Sequence, residues 1–135
     1  MKLLIILLLI LATPAYSAHL HKEKEYQAAW CSKAGGVTEY RLDDGTRVDC
    51  LTDEYAIEFD FAQKWAESIG QALYYAEQTG RKPGVVLILE QAGDDRFLQR
   101  LNSVADRSQI KVWTMPAVGA KSLTNLAGFI QTGAK

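Results

Sequence analysis

The stretch YRLDDGTRVDCLTDEYAIEFD, residues 40–60, constrains the fold more tightly than any other part of the chain. Apolar and charged residues alternate through three short runs, which Asp43-Asp44-Gly45 and Asp53-Glu54 separate. Period-two alternation punctuated by turn residues predicts an antiparallel three-strand meander. Burial then selects the register. A three-residue loop over Asp43-Asp44-Gly45, a type I turn closed by a left-handed glycine, pairs Leu42 with Thr46. Tyr40 and Leu42 then share a face with Val48 and Cys50. A two-residue Asp44-Gly45 turn would put Arg47 and Asp49 on that face and break the apolar pattern. In the second hairpin, a two-residue turn at Asp53-Glu54 or a four-residue loop over 52–55 pairs Asp49 with Glu58 and Arg47 with Asp60. Val48, Cys50, Ile57 and Phe59 then line the apolar face. The other face carries Glu39, Asp49 and Glu58 in one row, with neighbours about 5 Å apart.

Like charges placed opposite one another destabilise a sheet, so the row needs a cause. A hard divalent cation held by carboxylate oxygens is one. Neutralisation by Arg41 and Arg47, which lie on the same face, is the other.

The start of the chain bears on its compartment. Lys2 precedes ten apolar residues, 3–12, followed by Pro14 and the small-residue pattern Ala15-Tyr16-Ser17-Ala18. The run is too short to span a bilayer and has the form of a secretory signal over residues 1–17, giving a periplasmic or secreted product with no membrane span. Removing 17 of the 135 residues leaves 118, enough for a single domain over 18–135. It leaves 14 basic against 16 acidic residues, a net charge of −2, which argues against a non-specific nucleic-acid coat protein. Cys31 and Cys50 are the only cysteines, and in an exported chain they read as one disulfide. Residues 18–25, AHLHKEKE, read as a polar, frayed terminus in which His19 and His21 carry no assigned role.

Around the meander, residues 23–31 read as a short helix stopped by KAGG, and residues 61–79 as a long helix stopped by Gly80. The run VVLIL, 85–89, has the continuous apolar character of a strand buried on both faces. Asp94 or Asp95 can cap a helix carrying Phe97, Leu98, Leu101, Val104 and Ala105, and IKVW, 110–113, forms another strand. A last short helix falls at 123–130. The order is helix, three strands, helix, strand, helix, strand, which predicts an α/β (α+β) fold with a mixed central sheet. On the long helix Lys64, Ser68, Gln71 and Tyr75 share a narrow arc beside the apolar stripe of Phe61, Trp65, Ile69, Ala72 and Ala76. A polar stripe beginning one turn past the third strand can overhang the acidic row, or can be an ordinary exposed helix side.

With these residues placed, the chain resembles the PD-(D/E)XK, or restriction-endonuclease-like, nuclease superfamily, including small uncharacterised exported bacterial members. Its αβββαβ core corresponds to residues 23–89, here followed by an additional helix and strand. RVD supplies Asp49 where the family has an acid on its second strand, and IEFD supplies Glu58 for the acid of the third. Glu25 and Glu39 are candidates for an extra acid, and QALYY supplies Gln71 and Tyr75 of a Gln-x-x-x-Tyr motif. The chain departs from the pattern at Asp60, which stands in the lysine position. Lys64, one turn on, is the candidate replacement, and Asp60 can cap the helix with Gln63, partner Arg47, or add a ligand.

The resemblance implies a metal-dependent phosphodiesterase. Asp49 and Glu58, with Glu39, would hold Mg²⁺ or Mn²⁺, which polarises a phosphodiester oxygen and acidifies a water. Lys64 would stabilise phosphoryl charge, and Gln71 and Tyr75 would position water or substrate. Arg41, Arg47, Arg81 and Lys82 are candidate phosphate contacts with a nucleic acid. The alternative is a catalytically silent relative that binds another envelope or secreted protein, its acidic row balanced by Arg41 and Arg47.

Overall fold

The structure, a computed structural model, describes residues 18–117, so the leader at 1–17 and the helix expected at 123–130 lie outside the described residues. Helix α1 spans Glu23–Lys33, and strands β1, β2 and β3 span Val37–Arg41, Arg47–Leu51 and Tyr55–Phe61. A 3-10 turn over Ala62–Lys64 leads into α2, Trp65–Thr79, followed by β4 (Lys82–Leu89), α3 (Asp95–Ala105) and β5 (Lys111–Pro116). The five strands form one mixed sheet in the order β1-β2-β3-β4-β5. The meander is antiparallel, and β3, β4 and β5 run parallel to one another. Parallel neighbours need crossover connections, which α2 and α3 supply.

Both hairpin registers follow from turn chemistry and burial. The Leu42 N–H donates to the Thr46 carbonyl at 2.9 Å, and Arg41 pairs with Arg47 across a loop in which Gly45 has φ of 88°. In the second hairpin Thr52 N–H donates to the Tyr55 carbonyl at 2.9 Å, and Cys50 pairs with Ile57. One face of the sheet packs Ile57, Phe59, Phe61, Val86 and Ile88 against Tyr26, Trp30 and Cys31 of α1. The other packs Val85 and Leu87 against Ala72 of α2 and Leu101 and Ala105 of α3. VVLIL is therefore buried on both sides, as a central parallel strand requires.

The meander departs from simple alternation in one place. Cys50, Ile57 and Phe59 share a cluster, but Val48 packs instead with Ala56 and Tyr75. Across from Asp49, on β1, Glu39 has φ of 54°, in the left-handed region that a non-glycine residue seldom enters. Pairing of β1 with β2 joins Thr38 to Cys50 and Tyr40 to Val48 but passes over Glu39 and Asp49 between them. The change of face falls at Asp49, where the regular pairing of β2 with both neighbours is interrupted.

Three other expectations change. Residues 18–22 are not frayed: the His19 ring stacks on Phe61 with centroids 3.4 Å apart, and His19 Nδ1 lies 2.7 Å from Glu90 Oε2. Glu90 Oε1 accepts from Leu20 N–H at 3.1 Å and from the Tyr26 hydroxyl at 2.7 Å. The long helix begins at Trp65 and not at Phe61, because β3 continues to Phe61 beside Ile88 of β4. Asp94 precedes α3 without capping it: its Oδ2 accepts the Glu90 and Gln91 N–H groups, at 3.0 and 2.9 Å, and so closes the β4–α3 turn.

Candidate functional site

The β2–β3 ladder fixes the centre of the site. Continuing it from Thr52–Tyr55 and Cys50–Ile57 would give the Phe59 N–H to the Val48 carbonyl. Asp49 takes that donor instead, with Oδ2 2.8 Å from Phe59 N. A side-chain oxygen here replaces a rung of the ladder, and the strands separate around it.

Next to this bond, on β3, Glu58 is 5% exposed and hydrogen-bonded to Asp49, while its Oε2 is buried without a hydrogen-bond partner. Burial is the main cause that raises the Glu58 carboxyl far above the ordinary carboxylate range, and the charges of Asp49 and Asp60 add to it. Burial likewise raises Asp49, against the lowering effect of the Phe59 N–H. The pair therefore retains a proton at neutral pH, which relieves the like-charge cost. Asp60, two residues along the same strand, is 3% exposed and pushed by burial to about 7, with Lys64 pulling the other way.

Lys64 reaches back along the 3-10 turn to place Nζ 3.9 Å from Asp60 Oδ1, with over half of its side chain exposed. Asp60 makes no cap: α2 begins five residues later and the 3-10 turn has no side-chain cap. The amide of Gln63 is occupied elsewhere, donating to Asp94 Oδ1 at 3.1 Å. Arg47 is likewise not the partner of Asp60, since its Nη1 lies 3.2 Å from Glu39 Oε2. Glu39 is also 3.8 Å from Lys24, so of the expected row Asp49 and Glu58 meet while Glu39 is held by cations at the rim.

Helix α1 contributes an acid that sequence reasoning missed. Glu25 turns to His21, 2.9 Å away, whereas the charge of Glu23 acts on Asp49, Glu58 and Asp60 alike. Glu23 is itself raised by burial, with Lys64 opposing, and accepts from the buried Gln27 amide at 3.2 Å. Helical spacing contained the signal, because Glu23, Gln27 and Trp30 fall on one face of the helix and Glu25 does not.

On α2, Ser68 and Tyr75 are buried and Gln71 is exposed and bonded to Tyr75. Burial raises the Tyr75 hydroxyl, and the charges of Glu58 and Asp49 add to it, so Tyr75 borders the acid pair. Arg41 is exposed in the first hairpin. Arg81 and Lys82 lie at the far end of the sheet, where Lys82 pairs with Tyr55 and its Nζ holds Glu54 at 2.8 Å.

A hard divalent ion suits two carboxylates and completes its shell with water, and the unpartnered buried Glu58 Oε2 is an oxygen such an ion could satisfy. Among the described residues no three His, Cys, Asp or Glu side chains are already gathered for a metal, so Asp49 and Glu58 form the minimal set. Compared with protein-family models, with curated proteins and with solved structures, the chain matches none.

Proposed function

We propose that this is an exported, divalent-cation-dependent phosphodiesterase acting on nucleic acid, built on a restriction-endonuclease-like core. The observation that carries the reading is the buried Glu58 Oε2 without a partner, in contact with Asp49 on the neighbouring strand. The helix, three strands, helix, strand order of residues 23–89 supports the same reading. When bound, Mg²⁺ or Mn²⁺ supplies Lewis-acid neutralisation of phosphoryl charge.

The chain's own residues do the rest. Asp49 and Glu58 give up their shared proton and present oxygens to the cation. Asp49 is oriented for this by the Phe59 N–H, so its position does not depend on a mobile rotamer. Lys64, exposed and four residues on from Asp60, swings between Asp60 and a phosphoryl oxygen, taking the part of the lysine that Asp60 displaces. Tyr75, bonded to Gln71, offers its hydroxyl at the border of the pair, and Arg41 is left for the phosphate backbone.

The test is cleavage of a labelled oligonucleotide with Mn²⁺. Asp49→Asn and Glu58→Gln should reduce cleavage to background, and Lys64→Ala should slow it by about 10²-fold. Cleavage that survives both carboxylate substitutions would overturn the assignment. A silent binding module of the same architecture is the second reading, favoured by the Arg47–Glu39 pair at 3.2 Å. It predicts no cleavage by the unaltered protein and no response to Mn²⁺.

A further inference from the structure

Cys31 and Cys50 are joined, and both are fully buried. The bond links the two elements that bring acids to the site from outside β3: α1 carries Cys31 and Glu23, and β2 carries Cys50 next to Asp49. We propose that this disulfide is a redox gate for the carboxylate site, which is assembled only in the oxidised chain. The proposal rests on the cation-site reading given above.

Three features of the packing support it. Cys50–Ile57 is the last regular β2–β3 pair before Asp49, and beyond it the separation of the strands is spanned by the Asp49–Phe59 bond. The bridge therefore anchors β2 where backbone pairing gives out. Gly36 closes the opposite side: a Cβ there would lie 2.7 Å from Cys50 Sγ, 2.8 Å from Cys31 Sγ and 3.0 Å from the Leu51 carbonyl oxygen. The backbone of Gly36 is thus packed close to both sulfurs. Reduction removes the covalent link between α1, which carries Glu23, and β2, which carries Asp49, at the point where β2 has lost its regular pairing.

The chemistry is ordinary exchange. A dithiol reductant attacks one sulfur, forms a mixed disulfide, then closes to its own disulfide and leaves Cys31 and Cys50 as thiols. Because the bond is buried, the gate is set when the chain is oxidised during folding and is not a rapid switch. A chain held in a reducing compartment would carry an unassembled site.

The test compares the oxidised protein with Cys31→Ala/Cys50→Ala and with protein refolded in excess dithiol. Amide hydrogen exchange at Phe59 reports the Asp49 bond, exchange at Val86 in β4 reports the sheet, and calorimetry reports Mn²⁺ affinity. The gate predicts a loss of protection at Phe59 at least about tenfold larger than the loss at Val86, and at least about tenfold weaker Mn²⁺ binding. Unchanged Phe59 protection would overturn it, as would unchanged Mn²⁺ affinity in a reduced protein whose oxidised form binds. Equal loss at Val86 would also overturn it, since the bridge would then be a staple of the whole fold. If the oxidised protein takes no Mn²⁺, the cation reading fails, and Phe59 alone decides whether the bridge holds Asp49.

Discussion

At Asp49 one carboxylate replaces a rung of backbone pairing, which gives that side chain two uses: it satisfies Phe59 N–H and meets Glu58. The raised carboxyls of Glu58, Asp49 and Asp60 set the pH behaviour. The folded chain binds more protons than the unfolded one above about pH 4, so this contribution to stability is complete below that value. It is lost as pH rises through about 7, where Asp60 titrates, and through the raised values of the pair. Thermal unfolding between pH 5 and 8 should therefore show a falling midpoint, and Glu58→Gln, which keeps a neutral hydrogen-bonding group, should flatten the fall and raise the midpoint at pH 8 by about 5 °C. A midpoint that rises over this range would contradict the buried acid pair. Cation binding needs the protons gone, so affinity for Mn²⁺ should increase from pH 6 to pH 8 with net proton release, read from calorimetry in buffers of different ionisation enthalpy.

Among the elements, the meander was legible in advance because two independent constraints agreed: Asp43-Asp44-Gly45 restricts the turn, and the apolar residues restrict the face. What remained hidden depends on tertiary context. Nothing local announces that Glu39 adopts φ of 54° or that Val48 joins a cluster with Tyr75. The kink at Glu39 interrupts the exposed edge strand β1, which makes it a poorer template for another strand. Gln63 looked like half of a capping box, but its partner is Asp94, 31 residues away. The segment 18–22 lacks any period because its order comes from Phe61 and Glu90 and not from its own pattern. Two predictions belong here. Gly36→Ala forces a methyl group against both sulfurs and should destabilise by about 1–3 kcal/mol in denaturant unfolding. Glu90→Ala removes the acceptor shared by His19, Leu20 and Tyr26 and should raise amide exchange at residues 20–22 while leaving β4 protected.

For the molecule as a whole, a mixed five-strand sheet between α1 on one face and α2 and α3 on the other presents its acids from rigid strands, braced by one covalent link. In the chain-entropy model a loop of this size contributes about 3 kcal/mol, so removing the bridge should lower overall stability as well as disturb Asp49. The pairing of Asp49 with Glu58 was readable from strand register, whereas Glu23 was not singled out because the resemblance specifies a helix acid without saying which helix face meets the sheet. The described residues contain no helix long and apolar enough to cross a membrane, and the disulfide is compatible with export. The central claim is that Asp49 and Glu58 together form a divalent-cation site, and calorimetric titration of Mn²⁺ into the oxidised protein at pH 8, beside Asp49→Asn and Glu58→Gln, tests it most directly. Binding by the unaltered protein that disappears in both variants is the predicted result. No binding, or binding that persists in either variant, would contradict it.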